Sequence, residues 1–365
     1  MSAQIPQTMK AIVQQEKENW ISVQEVPVPT LEDNEVLIKV LYAAQNPTDW
    51  KHAEWISEPG VINGCDFSGE VVKLGNNLKV DLKVGDKIAG TTHGGIYKDR
   101  GSYAEYARIE SDLCFKIPDS LKPEEAATFG VAWVTACQAL LSSQGNAFPP
   151  EKVPEGSWYI IYGASSSVGS FAITLAKSLG YKVIGVASKH SFELIKSYGV
   201  DETLDYNDPE EEIVKKAKEI TNGEGVALAL DTISKPETWK LTVKLMSKKA
   251  KQLNVILSPP SKEDNDKYAP GITIKSTLMY TLFGKKFNFN PRGGSEKPNY
   301  IPANLEDRKF GEKVFEKTPE FIEKYGIKPN PIQVRQGGLT DVDAGFKEMK
   351  EGKVSGKKLV YKIAQ

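Results

Sequence analysis

The chain has 365 residues, of which 40% are hydrophobic and 26% are charged, with 47 basic residues against 48 acidic ones. This length exceeds what one hydrophobic core usually serves, so we expect two domains. The net charge of -1 gives no electrostatic reason to expect nucleic acid or an anionic membrane as a partner. No secretory signal and no run of 18 apolar residues is visible, so we expect a cytoplasmic protein.

Cysteine and histidine are scattered along the chain. The three cysteines, Cys65, Cys114 and Cys137, follow no CxxC spacing. The three histidines, His52, His93 and His190, are also far from one another in the sequence. This pattern argues against a disulfide framework and against a zinc site of four cysteines. We therefore expect no metal held by protein ligands alone, while a site that mixes one of these residues with carboxylates stays open.

The sequence pattern changes once along the chain. The first 120 residues carry short apolar and β-branched runs separated by turn residues, which predicts a compact β-rich barrel. A helical pattern opens at Pro123, and from about residue 141 strands alternate with helices, beginning with WYIIYG and SVGSFAITLAKSLG. Strands that are apolar almost throughout and alternate with helices predict a parallel sheet covered on both faces.

The predicted fold class is therefore α/β with two domains. Residues 1–140 form the first part of the β-rich domain, residues 141–290 form a Rossmann-type, doubly wound nucleotide-binding domain, and residues 291–365 return to the first domain. The Pro- and Gly-rich stretch 287–304 is predicted to be the most mobile segment.

The turn YGASSSVG is a candidate phosphate-binding turn. A dinucleotide's pyrophosphate lies against the amides at a helix N-terminus, so the turn must be built of small residues. Gly163 ends the strand and Gly169 lies where the helix presses on the sheet, with serine in place of the usual middle glycine. Serine hydroxyls would add donors for phosphate oxygens. Any α/β protein can have such a strand-to-helix turn, and on this motif alone the two interpretations have equal weight.

The end of the next strand indicates which cofactor would bind. An acidic residue there would accept a hydrogen bond from the adenosine 2'-hydroxyl and repel a 2'-phosphate. The sequence instead has Ser188-Lys189-His190-Ser191. A cation, a titratable ring and two hydroxyls suit a phosphate, so the predicted cofactor is NADPH. A solvated loop with one lysine is the alternative.

Nearly the whole chain resembles the zinc-independent quinone oxidoreductase branch of the medium-chain dehydrogenase/reductase superfamily. It looks most like fungal enoyl reductases that act in trans with polyketide synthases, and related NADPH-dependent reductases. The motifs that carry this resemblance are NPTDWK (46–51), GCDFSG (64–69), the serine turn, SKH (188–190) and VSGK (354–357). The resemblance implies a GroES-like fold for the β-rich catalytic domain. Asn46 stands where zinc-dependent relatives have a cysteine ligand, and Gly64-Cys65-Asp66 where they have Gly-His-Glu, so we expect no catalytic zinc.

The resemblance also implies which residues contact the cofactor. Those expected at the nicotinamide end are Thr48, Asp49, Trp50 and Lys51, with Leu257, Ser258, Val354 and Ser355 lining the nicotinamide cleft. Those expected at the phosphates are Ser165, Ser166, Ser167 and Val168, and those at the 2'-phosphate are Ser188, Lys189, His190, Ser191 and Tyr206.

Candidates for the chemistry are few. Lys51 is the candidate proton donor, with anchoring of the cofactor as the alternative role. On an extended chain His52 would point to the side opposite Lys51. No tyrosine follows NPTDWK at the spacing of the acid in respiratory-type enoyl reductases, so we expect the proton to come from solvent. Substrate contacts are expected from Gly130, Trp133, Tyr280 and Phe283, with core packing as the alternative for each.

Hydride transfer without a metal needs an acceptor that is already activated. Enones, enoyl thioesters and quinones qualify, because the negative charge of the product is spread over a conjugated carbonyl. We therefore predict an NADPH-dependent, zinc-independent oxidoreductase that delivers hydride to an activated C=C or carbonyl of a small molecule. An aldehyde or quinone reductase of detoxification is one alternative, and a catalytically silent nucleotide-binding partner protein is another. The sequence leaves open whether the protein is a homodimer and whether it has a carrier-protein partner.

Overall fold

The computed structural model describes residues 5–16, 20–246, 250–289 and 298–364. In chain order the strands of these ranges are β1 (Thr8–Gln14), β2 (Ile21–Pro27), β3 (Glu35–Ala44), β4 (Asp66–Leu74), β5 (Lys87–Thr91), β6 (Tyr106–Glu110), β7 (Cys114–Lys116), β8 (Trp158–Tyr162), β9 (Lys182–Ala187), β10 (Glu202–Asp205), β11 (Leu228–Asp231), β12 (Gln252–Val255), β13 (Thr273–Ser276), β14 (Phe287–Asn288), β15 (Tyr300–Ile301), β16 (Ile332–Arg335) and β17 (Lys358–Lys362). The α-helices are α1 (Pro47–Lys51), α2 (Pro123–Ala126), α3 (Val131–Cys137), α4 (Ser167–Ser178), α5 (Phe192–Ser197), α6 (Glu210–Ile220), α7 (Pro236–Leu245), α8 (Lys262–Tyr268), α9 (Leu305–Tyr325) and α10 (Val342–Lys350). In the described part of the chain, every helix is too short or too polar to cross a membrane.

The chain folds into two compact units. The first, here called the β-rich unit, comprises Met1–Val131, Tyr280–Glu320 and Pro329–Gln365. The second, here called the parallel-sheet unit, comprises Ala132–Met279 and Phe321–Lys328. The chain thus leaves the first unit and later returns to it. The boundaries between the two units at residues 131 and 279 lie about ten residues before the domain boundaries that the sequence predicts at 140 and 290.

The β-rich unit is built on a mostly antiparallel sheet. Its strand order is β16-β17-β3-β4-β5-β7, and β6 pairs with β3. Val36, Ile38 and Val40 alternate along β3 and share one face, where they pack with Phe67 of β4 and Ile88 of β5 in one core. The last strand, β17, is antiparallel to β3, which brings the end of the chain beside residues 42–44.

The predicted mobile stretch 287–304 contains regular structure at both its ends. β14 and β15 form an antiparallel pair in which Phe287 lies opposite Ile301. Residues 290–297 of the stretch lie outside the described residues. The pairing at 287–288 and 300–301 is not visible in a Pro- and Gly-rich composition, and the mobility of the stretch stays a prediction.

The parallel-sheet unit has six strands, all parallel, in the order β10-β9-β8-β11-β12-β13. Numbered from β8 this is the order 3-2-1-4-5-6 of a doubly wound Rossmann sheet. The winding reverses between β8 and β11, so the carboxyl ends of these two strands border the crevice where such sheets bind ligands. The predicted fold class is confirmed.

Candidate functional site

The turn between β8 and α4 has the close backbone packing that a phosphate site requires. Gly163 has φ +72°, and a Cβ atom there would overlap the Thr232 hydroxyl. A Cβ atom at Gly169 would overlap the carbonyl oxygen of Gly163. Because both positions exclude a side chain, the N-terminus of the 12-residue helix α4 lies directly against the end of the strand. These residues fit the pyrophosphate of a dinucleotide.

Ser166, the residue in place of the middle glycine, is engaged within the protein. Its Oγ accepts from the Gly169 N–H at 3.0 Å and lies 2.9 Å from Thr232 Oγ1. Its own N–H donates to the carbonyl of Gly163 at 2.9 Å. The Ser166 hydroxyl is therefore the N-cap of α4, and the expected contact of Ser166 with a phosphate stays a prediction. Ser165, Ser167 and Val168 are half-buried at the same turn.

The end of β9 presents a cation to solvent. Lys189 and His190 are exposed in a short 3-10 turn, whereas Ser188 and Ser191 are buried. Tyr206 follows β10 and stacks on Tyr162 with a ring-centroid distance of 6.3 Å. The structure thus brings together, at the carboxyl edge of one sheet, most of the residues that we expected to bind the adenosine half of the cofactor. Leu257 and Ser258 are exposed on the loop after β12, at the same edge.

One residue of this edge escaped the sequence analysis. Asp205 lies opposite Ala187 in the parallel register of β9 and β10. Its pKa is lowered by backbone hydrogen bonds from Asn207 and Lys189, with the charge of Lys189 contributing. A carboxylate therefore stands beside the predicted phosphate-binding lysine. The register of parallel strands, once the sheet order is known, is the signal that could have found it.

In the β-rich unit, α1 continues without a break into a π-helical turn, His52–Ile56. His52 is therefore on the same helical face as Thr48, four residues earlier, with His52 Nε2 3.2 Å from Thr48 Oγ1. The expectation of an extended chain at residue 52 is wrong, because the apolar and aromatic residues of AEWI support one more turn. His52 is buried, which lowers its pKa to about 4 and keeps it neutral.

Three side chains form a hydrogen-bonded chain with a fixed direction. His52 Nδ1 is 3.3 Å from the Gly94 carbonyl oxygen, which can only accept, so this nitrogen carries the ring proton. His52 Nε2 then accepts from the Thr48 hydroxyl. Thr48 Oγ1 in turn accepts from the Tyr280 hydroxyl at 2.6 Å. Thr48 is thereby held in place by groups on both sides.

The two aromatic residues predicted to contact substrate are in this neighbourhood. Tyr280 and Phe283 are both buried, and each stacks on His93, with ring-centroid distances of 4.2 Å and 5.3 Å. Burial lowers the pKa of His93 well below its ordinary value. The structure therefore shows both residues in an aromatic cluster of the β-rich unit.

Asp49, which we expected to border the cofactor, is only 1% exposed. Its Oδ2 accepts from the Asn46 N–H at 2.7 Å and from the Tyr103 hydroxyl at 3.0 Å. Burial raises the pKa of Asp49 to about 7. The expected cofactor contact is wrong for this side chain, because Asp49 fixes the start of α1 from within the core. Its neighbours Trp50 and Lys51 are half-exposed, and partial burial lowers the pKa of Lys51.

A lysine from the last strand completes a buried cluster beside α1. Lys358 Nζ donates to Asn46 Oδ1 at 2.7 Å and to Asp66 Oδ2 at 3.0 Å, and Asn46 Nδ2 donates to Asp66 Oδ2 at 2.8 Å. The other Asp66 oxygen accepts from the Val131 N–H at 2.7 Å. A Cβ atom at Gly130 would overlap Asp66. Gly130 thus makes room for this carboxylate, and its expected contact with substrate stays a prediction.

Asn46 and Cys65, at the positions where zinc-dependent relatives have ligands, are both buried. The Asn46 oxygen accepts a hydrogen bond from the Lys358 ammonium group, and burial raises the pKa of the Cys65 thiol well above its ordinary value. Among the described residues, no group of three or more His, Cys, Asp or Glu side chains is placed to hold a metal.

The remaining predicted residues lie elsewhere. Trp133 has no exposed surface and packs on Phe171 and Phe321 inside the parallel-sheet unit, so its assignment to a substrate pocket is wrong and the core-packing alternative holds. Val354 is half-buried against the core of the β-rich unit, and Ser355 is exposed on the loop before β17.

Comparisons with known proteins agree with this architecture. A family model described as an alcohol dehydrogenase GroES-like domain matches residues 32–119, and one described as a zinc-binding dehydrogenase matches residues 167–288. The trans-enoyl reductase ACTTS2 of Alternaria alternata is 36% identical, over 98% of this chain and 99% of that protein. A zinc-type alcohol dehydrogenase-like protein of Schizosaccharomyces pombe is 32% identical, over 97% of this chain and 100% of that protein.

Solved structures share the fold. The CurK enoyl reductase superposes with a TM-score of 0.77 at 17% identity, over 98% of this chain and 100% of that one. The quinone oxidoreductase of Coxiella burnetii gives a TM-score of 0.69 at 23% identity, with the same coverage. The chain therefore belongs to the medium-chain dehydrogenase/reductase family of oxidoreductases, as its motifs predict. Within that family it is similar to the fungal trans-enoyl reductases, and the family implies a nicotinamide cofactor.

Proposed function

We propose that this protein is an NADPH-dependent, zinc-independent reductase of an α,β-unsaturated carbonyl compound. The observation that carries the proposal is the exposed Lys189 at the end of β9, one strand away from a turn shaped for a pyrophosphate. A lysine at this position attracts a 2'-phosphate. The similarity to trans-enoyl reductases along almost the whole chain supports an enoyl acceptor over a simple alcohol or aldehyde.

The proposal gives a defined role to residues of both units. Ser165, Ser167 and Val168 surround the pyrophosphate at the N-terminus of α4, and Lys189 pairs with the 2'-phosphate. The residues of the β-rich unit that we assign to the nicotinamide ring are Thr48, Trp50 and Lys51. When bound, the reduced nicotinamide supplies a hydride. The acceptor needs no metal, because conjugation delocalises the negative charge that hydride addition creates and neutral hydrogen-bond donors can stabilise it.

A panel of acceptors tests the proposal. The purified protein is first treated with a chelator, and its metal content is measured. It is then mixed with NADPH and, separately, with enones, enoyl thioesters, quinones and aldehydes, while loss of the reduced-nicotinamide absorbance is followed. We expect turnover that survives metal removal and is fastest with an enone or enoyl thioester.

The other outcomes distinguish the rival functions. Fastest turnover with quinones or aldehydes would indicate a detoxifying reductase. Tight NADPH binding without oxidation by any acceptor would indicate a binding protein. Turnover that is lost with the chelator and restored by zinc would contradict the zinc-independent chemistry.

A further inference from the structure

Asn46, Asp66 and Lys358 form a closed ring of hydrogen bonds inside the β-rich unit. Their exposed fractions are 2%, 0% and 1%, so the ring is out of contact with bulk water. The ammonium group bonds both the amide oxygen of Asn46 and Asp66 Oδ2, and the same Asp66 oxygen accepts from Asn46 Nδ2. One cation and one anion offset each other, and the neutral amide lies between them.

This ring fixes the orientation of the Asn46 amide. Its oxygen faces an ammonium group, which can only donate, and its nitrogen faces a carboxylate, which can only accept. The reversed amide would place N–H groups against the ammonium and an oxygen against the carboxylate. The assignment of oxygen and nitrogen therefore follows from the network.

The ring also shows which N–H of Asn46 is used. Lys358 bonds the amide oxygen, Asp66 bonds the amide nitrogen, and Lys358 and Asp66 bond each other. Both partners of the amide therefore lie on the edge that faces away from the Cβ atom of Asn46. The N–H on that edge is the one directed at Asp66. The second N–H points along the opposite edge, and Asp66 Oδ2 is the one acceptor that the described residues give to Asn46 Nδ2. A buried donor without a partner is unfavourable unless a ligand satisfies it.

Two properties make this N–H suitable for charge stabilisation. Asn46 directly precedes α1, which carries the residues that we assign to the nicotinamide ring. The hydrogen bond from the Lys358 ammonium to Asn46 Oδ1 withdraws electron density from the amide and strengthens its N–H groups as donors. Because the amide is fixed before a substrate arrives, little reorganisation is needed when charge develops.

We propose that the second Nδ2–H of Asn46 donates a hydrogen bond to the carbonyl oxygen of the α,β-unsaturated substrate, and that Lys358 is the positioning residue that orients it. The inference rests on the proposed function. Hydride addition places two electrons in a new C–H bond at the β-carbon. The C=C pair then forms a double bond between the α-carbon and the carbonyl carbon, and the C=O π pair moves to the oxygen to give the enolate. The α-carbon then takes a proton from water. Asn46 transfers no proton and acts only as a donor to the oxygen.

The first test removes the donor. Asn46→Ala should lower kcat about 100-fold, the cost typical of one lost donor to a developing oxyanion, with the NADPH Kd unchanged within twofold. Gln45→Ala is the matched control, because Gln45 is an adjacent buried amide whose Nε2 donates to the Gly345 carbonyl. The control should leave kcat within threefold of the wild type. A kcat of Asn46→Ala within threefold of the wild type would overturn the proposal.

A binding probe gives a readout that does not depend on turnover. With NADP+ present, 4-nitrophenol is titrated from low to high pH and its yellow anion is followed by absorbance. The wild type should bind the anion preferentially and lower the pKa of the phenol, and Asn46→Ala should lose this preference. Equal behaviour of the two proteins would refute the donor role. Absence of turnover in the wild type would refute the proposed function, and the nitrophenol comparison would still decide the role of Asn46.

The role of Lys358 needs a variant that keeps the buried charges balanced. Lys358→Met alone would leave Asp66 without its counter-ion, so Lys358→Met is combined with Asp66→Asn. We expect the double variant to fold and to bind NADPH, but to lose at least tenfold in kcat and to lose the preference for the nitrophenolate anion. Lys362→Met, at an exposed position of the same strand, should match the wild type. A folded double variant with wild-type kcat would show that orientation by Lys358 is not needed.

Discussion

The hydroxyl groups of Ser166 and Thr232 are 2.9 Å apart and join the turn between β8 and α4 to the residue that follows β11. Thr232 Oγ1 lies 3.0 Å from the carbonyl oxygens of both Tyr162 and Gly163, so its proton is directed at the end of β8. The Ser166 hydroxyl then donates to Thr232 and accepts from the Gly169 N–H. A side chain outside the motif thus fixes the turn that lacks its middle glycine.

Thr232→Val should weaken NADPH binding. Valine has nearly the same shape but no hydroxyl, so the Ser166 proton loses its acceptor and the first turn of α4 is less firmly held. A lost buried hydrogen bond costs about 1.4 kcal/mol, which corresponds to about a tenfold rise in the NADPH Kd measured by calorimetry. Thr232→Ser keeps the hydroxyl and should stay within twofold of the wild type. Equal affinities for the valine and serine variants would refute this role.

Gly169→Ala tests whether α4 and the end of β8 must lie in close contact for the cofactor to bind. Its new Cβ would overlap the Gly163 carbonyl oxygen, so α4 must move away from the turn that it completes. We expect the NADPH Kd to rise by at least tenfold, and Gly169→Val to abolish binding. Gly156→Ala is the control, because a Cβ atom at Gly156 would meet no atom within 4 Å; its own φ of +81° accounts for the stability that this variant loses. The control should lose some stability, about 1–2 kcal/mol, and keep its affinity.

Lys189→Glu should discriminate between the two nicotinamide cofactors. The change places a second carboxylate near Asp205, so repulsion should weaken NADPH by well over tenfold and NADH by less than twofold. Affinities for both cofactors are measured at one salt concentration, because salt screens exposed charges. Lys196→Glu, an equal charge change on α5 of the same unit, is the control. If NADPH and NADH weaken equally, Lys189 does not contact the 2'-phosphate.

Local patterns predicted the fold and the close-packed turn between β8 and α4 because the relevant residues lie close together in the sequence. The apolar strands and intervening helices predict the doubly wound sheet, and Gly163 and Gly169 are only six residues apart. Lys189 follows its strand directly. In each case the function depends on the backbone at the end of one strand, which short-range patterns determine.

The rest could not be predicted because it depends on contacts between distant parts of the chain. Lys358 reaches Asn46 across 312 positions, and only the pairing of β17 with β3 brings the end of the chain to this place. Trp133 has the same sequence pattern in a core as in a pocket, and only its packing on Phe171 and Phe321 separates the two. The hydrogen bond between the hydroxyls of Ser166 and Thr232 likewise joins residues that are 66 positions apart.

Asp49→Asn should flatten the pH dependence of stability. The folded pKa of Asp49 is about 7, above the ordinary 3.8, so the folded protein holds this proton more firmly than the unfolded chain does. The contribution of Asp49 to the free energy of unfolding is therefore fully present below pH 4. As the pH rises towards 7 this contribution is lost, by about 4 kcal/mol in total. Asparagine keeps an oxygen for the Asn46 N–H and the Tyr103 hydroxyl but has no proton to lose.

Urea unfolding at several values between pH 4.5 and 8, for wild type and Asp49→Asn, measures this contribution. As the pH rises, the free energy of unfolding of the variant should increase relative to that of the wild type, and the difference between the two should become constant above pH 7. The comparison between the two proteins cancels the titration of all other carboxyls. A difference that is independent of pH would show that Asp49 titrates as an ordinary carboxyl group.

Arg308→Met should strongly destabilise the β-rich unit. The guanidinium group of Arg308, on α9, bonds Glu110, Asp112 and Glu312, and Glu110 and Asp112 are nearly buried. Burial alone would raise the pKa of Asp112, but Lys79 and Arg308 lower it to about 2. Removing the cation leaves Asp112 with Lys79 and Glu110 with Lys285 and the more distant Arg100 (3.8 Å) as cationic partners, and such a loss costs roughly 3–5 kcal/mol.

The matched control for Arg308 is Lys347→Met, which removes an exposed ion pair with Asp343 on α10 of the same unit. Exposed pairs contribute little, so its free energy of unfolding should change by no more than about 0.5 kcal/mol. Urea unfolding of both variants at pH 7 gives the comparison. If Arg308→Met costs no more than Lys347→Met, then Lys79, Lys285 and Arg100 suffice to balance Glu110 and Asp112, and Arg308 is not needed to hold α9 against these two residues.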